Sequence, residues 1–310
     1  MPFNLAGLAD YTREHNLPLL RKSLFGSRTA ELIKKAGTIQ TGIKSADALN
    51  LMDTDAVLQS GNCEFNSSGT TTLTQRELKV ADLKVNESLC PRDLEKKWTQ
   101  HDVVSGSAPD AVPYEEVYTT RKADRVARQL ENLIWKGDTS SGSDDFFDGY
   151  IKHLDDADNY VTANANEETA ITKANVEAII DEVYEEIPSD VIAEGDVHIF
   201  VGDDVYRKYV MALKDSNLFH FAPDGSNLDF SFPADARVTI SAVYGLNGTD
   251  RVVAGRANNF FIGVDLEDEE EKFELWYSKD NRQVRFAMDF KYGTQIAFPE
   301  QVVMFVPFEA

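Results

Sequence analysis

The chain has 310 residues, a net charge of −22, and a composition with 42% hydrophobic and 10% aromatic residues. This composition excludes a disordered chain, and no run reaches the roughly 18 apolar residues that a membrane span requires. The acidic balance also disfavours direct nucleic-acid binding by the main body, because an acidic surface repels phosphate backbones.

Residues 1–55 are predicted to form an N-terminal arm. Residues 1–48 carry seven basic and four acidic side chains, so the arm is basic on an otherwise acidic chain. Short helices are predicted at 17–24 and 28–36, but nothing in the arm has enough apolar residues to bury itself alone. The arm could lie on an acidic surface of a neighbouring copy, or it could be a solvated terminus. Its start lacks the features of a signal peptide, so synthesis in the cytoplasm is expected.

Residues 56–100 are predicted to form an extended loop. The stretch TTTLTQRELKVADLKVNESLC (70–90) alternates apolar with polar and charged residues, which is typical of strands with one wet face. A long hairpin that projects from a body would show this pattern, and so would an edge strand protected by charge. Cys63 and Cys90 lack metal-ligand spacing and are expected to be reduced thiols.

A long helix is predicted over residues 114–136, after the linker SGSAPDAVP (105–113). Its apolar residues recur at helical spacing, and arginines and lysines occupy much of the remaining surface. Gly137 is expected to end the helix as a C-cap glycine. The polar strip at 137–145 follows, and it could be either a domain crossing or a catalytic loop.

Further helices are predicted at 144–157, 173–187 and 205–215, with a buried strand at 197–201. From residue 237 onward the chain is mostly β, and the acidic block DLEDEEEK (265–272) is predicted to be a solvated turn. The fold class is therefore α+β.

No catalytic, cofactor-binding or metal-binding residues are predicted, because the sequence has no nucleophile elbow, zinc helix or phosphate loop. His198 is interpreted as a satisfied core residue. His153 lies near Asp155 and Asp156, but a metal site there lacks a second histidine or cysteine. The acid pairs at 144–145 and 203–204 lie at helix starts, where capping explains them.

Four segments resemble the major capsid protein of tailed bacteriophages, which has the Hong Kong 97 fold, and most closely those of phages infecting Bacteroidetes. They are LTQRELKVADLKVNESLCPRDLEKKW (73–98), IWKGDTSSGSDDFFDGYIKHL (134–154), VAGRANNFFIGVDLEDEEEKFELWYS (253–278) and QVRFAMDFKYGTQIAFPEQVVMF (283–305). The order of the predicted parts also resembles this family over nearly the whole chain.

The resemblance implies a division into domains. Residues 101–140 and 253–310 would form a peripheral domain that contains the long helix as its spine, and residues 141–252 an axial domain. The strip at 137–145 would be the crossing between them, since polar turn residues are expected where two packed units meet.

The resemblance also implies a function. Copies of the chain would assemble into pentamers and hexamers of an icosahedral head that encloses double-stranded DNA, mostly without specific contacts. The head would be assembled in the host cytoplasm and would be part of the virion. Partners would be a portal, a separate scaffolding protein and possibly decoration proteins, with no membrane. The predicted loop tip (66–72) has no lysine, so no covalent cross-linking is expected.

Basic residues of three segments are the candidates for contacts between copies, as opposite charges fix register and partner choice. They are Arg13, Arg21 and Lys22 in the arm, Arg76, Lys79 and Lys84 in the loop strands, and Arg121, Arg125 and Arg128 in the helix. Solvated surface charge is the alternative for each.

Two rival functions follow from the sequence. An encapsulin would use the same fold as a nanocompartment for cargo enzymes, although nothing in the sequence resembles a docking groove for cargo peptides. A soluble hydrolase or nucleotide-binding enzyme would have a deep polar pocket within residues 144–215.

Overall fold

A computed structural model describes residues 22–54, 58, 61, 68–90, 114–141, 146–163, 167–216, 229–265 and 273–308. The helices are α1 (Arg28–Ala36), α2 (Tyr114–Lys136), α3 (Tyr150–Ala157), α4 (Val176–Glu185), α5 (Ser189–Glu194) and α6 (Asp203–Asp215). The strands are β1 (Ile39–Gln40), β2 (Ala46–Thr54), β3 (Thr71–Lys79), β4 (Ala81–Leu89), β5 (Val161–Ala163), β6 (Val197–Val201), β7 (Asp229–Ser231), β8 (Val238–Ala242), β9 (Val252–Arg256), β10 (Phe260–Val264), β11 (Phe273–Ser278), β12 (Gln283–Ile296) and β13 (Val303–Phe305).

The first sheet is built around the long strand β12. Strands β10 and β11 both pair with β12 along one of its edges, and β1 pairs with β10. Strand β4 pairs with the other edge of β12. The apolar face of α2 packs on this sheet, since Leu130, Ile134 and Trp135 share one buried cluster with Phe286 and Met288. This cluster is one of two large hydrophobic cores among the described residues.

The second sheet has six strands in the order β5-β13-β9-β6-β8-β7. Helices α4 and α6 cover it, and their inward residues Val176, Ile180 and Val205 share the second large cluster with Ile199 and Ile240. The pairs β6–β8 and β5–β13 are parallel, which requires chain crossovers, and α6 lies in the crossover between β6 and β8.

The two ends of the polar strip lie close together in the structure. Gly149 N donates to Gly137 O at 2.8 Å, and a Cβ on Gly137 would lie 2.3 Å from the carbonyl oxygen of Phe147. The glycine is therefore required by close backbone approach. The helix ends at Lys136, directly before Gly137, as predicted, although Gly137 is not among the positive-φ glycines of the described chain. The helix predicted from residue 144 begins only at Tyr150.

The helix over Tyr114–Lys136 has the predicted bounds, and the strand at 197–201 is also confirmed. Both alternatives for residues 70–90 hold, each for one strand: β3 forms a hairpin with β2, and β4 is a charged edge strand of the first sheet. The predicted loop over 56–100 stays a prediction, and the first strand of the hairpin begins before it, at Ala46.

The two-domain division and its boundaries remain predictions. The predicted boundary between residues 252 and 253 falls inside β9, and β13, which was predicted in the peripheral domain, pairs in the second sheet. The end of the chain therefore returns to the sheet of the predicted axial segment.

Candidate interaction surface

The β2–β3 hairpin is a largely exposed element that carries apolar residues. Its strands pair over nine positions, from Ala46 opposite Lys79 to Thr54 opposite Thr71. At the distal end Met52 lies opposite Leu73, and these side chains are 63% and 75% exposed. A two-stranded hairpin is marginally stable in water on its own, so an exposed apolar pair at its end favours a partner surface.

The base of the hairpin is fixed by two glycines that lie opposite each other on neighbouring strands of the first sheet. Gly263 of β10 pairs with Gly293 of β12. A Cβ on Gly293 would lie 1.9 Å from the Lys79 carbonyl oxygen, and one on Gly263 would lie 3.0 Å from the side chains of Ile43 and Val80. The missing side chains form a slot for the chain between β3 and β4, and this slot sets the direction in which the hairpin leaves the body.

Hydrogen bonds hold the same junction. The Gln295 side chain donates from Nε2 to the Glu77 carbonyl at 2.8 Å, and Lys291 Nζ donates to the Lys44 carbonyl at 2.6 Å. A groove of about 660 Å³ separates the hairpin base from Thr139 and Phe147. The hairpin is thus attached firmly at its base.

A buried carboxylate joins the start of α1 to the spine helix α2. Glu131 is 2% exposed, and it accepts hydrogen bonds from Thr29 N at 3.2 Å and from Thr29 Oγ1 at 2.5 Å. The Trp135 indole donates from Nε1 to Thr29 Oγ1 at 2.7 Å. The carboxylate also lies at the N-terminus of α1, where the helix dipole favours negative charge.

Residues 28–43 do not bury themselves alone, as expected; they are buried against distant parts of the chain. Leu24, Ala30 and Ile33 are at most 1% exposed, and β1 pairs with β10 in the first sheet. The apolar residues of α1 are few, but the spine helix supplies the surface that covers them. Such a surface from a distant part of the chain is not visible in local periodicity.

Glu131 predicts a specific pH dependence of stability. Burial raises the pKa of the Glu131 carboxyl above its ordinary value of 4.5, and hydrogen bonds from Thr29 and Ser27 oppose this rise. A raised folded-state pKa contributes stability that is complete below the unfolded value and is lost as pH rises through the folded one. We expect wild type to lose stability relative to Glu131→Gln as pH rises above 4.5. Urea unfolding at a series of pH values measures this difference, and a constant difference would contradict it.

The exposed face of α2 carries a row of arginines. Arg121, Arg125 and Arg128 are all exposed and follow spacings of four and three residues, so they lie on one face. Flanking lysines make contacts within the chain: Lys22 lies 2.9 Å from Asp124, and Lys122 pairs with Glu87 of β4. These three residues, Arg121, Arg125 and Arg128, form the arginine row of α2.

The remaining contact candidates have different environments. Arg13 and Arg21 lie outside the described residues, and Lys22 is used in the pair with Asp124. Lys79 lies 3.1 Å from Glu77 on the same strand and is largely exposed. Arg76 is half-buried at the hairpin base and Lys84 is exposed on β4, opposite Asp289.

The groups considered for catalysis have structural partners. His198 Nδ1 lies 3.0 Å from Ser241 Oγ, which confirms its interpretation as a satisfied core residue. Asp203 and Asp204 lie in the first turn of α6, as predicted, and Asp204 Oδ1 accepts a hydrogen bond from Val205 N at 3.0 Å. The two carboxylates also accept hydrogen bonds from Asn247 Nδ2 at 3.2 Å and from Gly248 N at 3.1 Å. They therefore hold a loop that follows β8.

No group of three or more histidine, cysteine, aspartate or glutamate side chains could hold a metal ion within the part of the chain that the structure describes. Among the same residues, no helix is both long enough and apolar enough to cross a bilayer.

Solved structures share this fold at low sequence identity. A chain from the satellite phage P4 procapsid with its size determination (Sid) protein has a TM-score of 0.61 at 9% identity, covering 94% of this chain and 90% of that one. A Gordonia phage Cozz chain has a TM-score of 0.54 at 11% identity, covering 89% and 85%. The capsid of an empty GTA particle has a TM-score of 0.52 at 13% identity, covering 89% and 96%. No protein-family model and no curated protein matches the sequence.

The fold is thus that of phage capsid proteins, the α+β Hong Kong 97 fold, over most of the chain. The fold class expected from the sequence is confirmed. That β2–β3 is the extended loop of this fold and α2 its spine helix stays a prediction from the sequence resemblance.

Proposed function

We propose that this chain is the major capsid protein of a tailed bacteriophage. Copies would assemble into pentamers and hexamers of an icosahedral head around double-stranded DNA. The observation that carries the proposal is the hairpin: it is fixed at Gly263 and Gly293 and presents an exposed apolar pair at its far end. The fold shared with capsid chains supports the same conclusion.

The physical basis is repeated weak association. Each copy that covers the hairpin of its neighbour removes apolar surface from water at about 25 cal/mol per Å², and closed symmetry repeats this contact around every ring. The contacts are individually weak, but a shell multiplies them. Such a protein is structural, and no reaction is assigned to it.

The partners follow from the same proposal. A portal, a scaffolding protein and possibly decoration proteins would act with the shell in the host cytoplasm, and the final location would be the virion. A chain with a net charge of −22 favours enclosing DNA without specific contacts, because most of its surface repels phosphates. A source among phages of Bacteroidetes stays a prediction from the sequence resemblance.

The test is the size of the expressed protein, alone and together with the products of its neighbouring genes. Sedimentation and electron microscopy are expected to show closed particles, in contrast to a single species of 34.6 kDa. A monodisperse small species under every condition would contradict the proposal. Particles from infected cells that contain DNA and a portal vertex would support a phage head, and portal-free shells filled with an enzyme would support the encapsulin alternative.

A further inference from the structure

The arginine row of α2 is a positive surface without a counter-charge of its own. All three side chains are exposed, and the row spans about 10 Å of helix at 1.5 Å per residue. Among the described residues none of the three arginines forms an ion pair, although the neighbouring Lys22 and Lys122 both do. Like charges three and four residues apart on a helix repel each other, so an anionic partner would stabilise this face.

Three carboxylates of the described chain close to α2 already have partners. Asp124 lies on the helix between the arginines, and Lys22 Nζ is 2.9 Å from its carboxylate. Glu87 of β4 forms an ion pair with Lys122. Glu131 is 2% exposed, and its carboxylate accepts hydrogen bonds at the start of α1. The row is therefore available for an anion from outside the chain.

The length of the row suits a phosphate backbone. Guanidinium groups bind phosphate through two parallel hydrogen bonds and keep their charge at every pH of interest. Each strand of duplex DNA carries one phosphate for about 3.4 Å of helix axis. A row about 10 Å long therefore lies alongside about three phosphates of one strand, which is one phosphate for each arginine.

Duplex DNA is favoured over a neighbouring copy as the source of the anions. A copy would have to present carboxylates at the spacing of the row, whereas DNA presents phosphates at this spacing along its whole length. Phosphate contacts carry no sequence information, so they suit a shell that encloses DNA of any sequence. The chain as a whole has a net charge of −22 and repels DNA, so a local positive row would determine where the two touch.

We propose that the arginine row binds the phosphate backbone of the enclosed double-stranded DNA. The proposal rests on the proposed capsid function, which supplies the DNA, and it adds the surface through which an acidic shell protein contacts its contents. The interaction is electrostatic, independent of sequence and sensitive to salt.

The test is the salt dependence of DNA binding by the purified, unassembled protein, measured with a fluorescently labelled duplex of random sequence. Each phosphate contact contributes about 0.9 to the steepness of log affinity against log salt concentration. The variant with Arg121→Gln, Arg125→Gln and Arg128→Gln is therefore expected to lower this steepness by about 3. Its particle yield is expected to equal that of wild type.

A matched control removes the same number of charges elsewhere. Arg207→Gln, Lys214→Gln and Lys279→Gln neutralise three exposed cations outside α2, and we expect a salt dependence close to that of wild type. Circular dichroism of each variant checks that it is folded.

An equal salt dependence in wild type and the arginine variant would overturn the proposal, and so would a wild-type protein that does not bind the duplex at low salt. If the salt dependence is unchanged and the arginine variant forms no particles, the row contacts a neighbouring copy and the proposal is wrong. Particle formation by wild type judges the capsid function separately, because DNA binding is measured on the unassembled protein.

Discussion

Gly293→Ala is expected to abolish assembly into closed particles while both sheets stay folded. The new Cβ would lie 1.9 Å from the Lys79 carbonyl oxygen and 3.1 Å from the Val80 Cα. These are backbone atoms, so no rotamer change relieves the clash, and overpacking of this kind costs about 1–3 kcal/mol. The chain between β3 and β4 must move, and a small rotation there displaces the far end of a hairpin about 30 Å long.

The measurement is particle yield on a sucrose gradient, with circular dichroism to establish that the variant is folded. Gly61→Ala is the matched control, because its Cβ would meet no atom within 4 Å. We expect the control to assemble like wild type. Normal particles from Gly293→Ala would show that the direction of the hairpin does not limit assembly.

Trp135→Ala is expected to lower the free energy of unfolding by about 3–5 kcal/mol, the range for a fully buried aromatic residue. The indole is 0% exposed, and its ring centroid lies 5.4 Å from that of Tyr150 and 5.2 Å from that of Phe200. Its removal also leaves Thr29 Oγ1 without its indole donor. The loss is a large part of a typical domain stability of about 5–15 kcal/mol.

Urea unfolding followed by far-ultraviolet circular dichroism measures this loss. Trp276→Ala is the control, because Trp276 is 37% exposed and lies on a strand at the sheet edge. We expect a change well below that of Trp135→Ala. An equal loss of unfolding free energy in the two variants would contradict the account, in which Trp135 packs α2 against both sheets.

The spine helix could be predicted to the residue because its apolar positions repeat over six turns with a linker before it. The strands of the C-terminal half were also visible, as β-branched and aromatic runs between turn residues. These signals are local, and the elements concerned bury one strong apolar face.

The first strand of the hairpin was missed, although it carries a signal. Residues 46–54, ADALNLMDT, alternate Leu49 and Leu51 with polar residues, as a strand with one buried face would. Sixteen residues separate it from its partner, which begins at Thr71, so no short turn joined the two in the sequence. Pairing over such a separation depends on the surface beneath the hairpin.

The parts that position the candidate surface were hidden for the same reason. Gly263 and Gly293 stand inside apolar strands, where glycine marks the close approach of another chain segment, but the sequence does not say which segment. Glu131 interrupts the apolar face of α2, and its partner Thr29 lies 102 residues away. Local patterns identify these residues as unusual, and only the tertiary structure identifies their contacts.

The most direct test of the account is a cryo-electron microscopy reconstruction of the assembled particle. The account predicts that the β2–β3 hairpin of each copy lies across a neighbouring copy and buries Met52 and Leu73 there, with the base seated on Gly263 and Gly293. A particle in which each hairpin contacts only its own chain, or in which Met52 and Leu73 remain in solvent, would contradict the claim that neighbouring copies complete this chain.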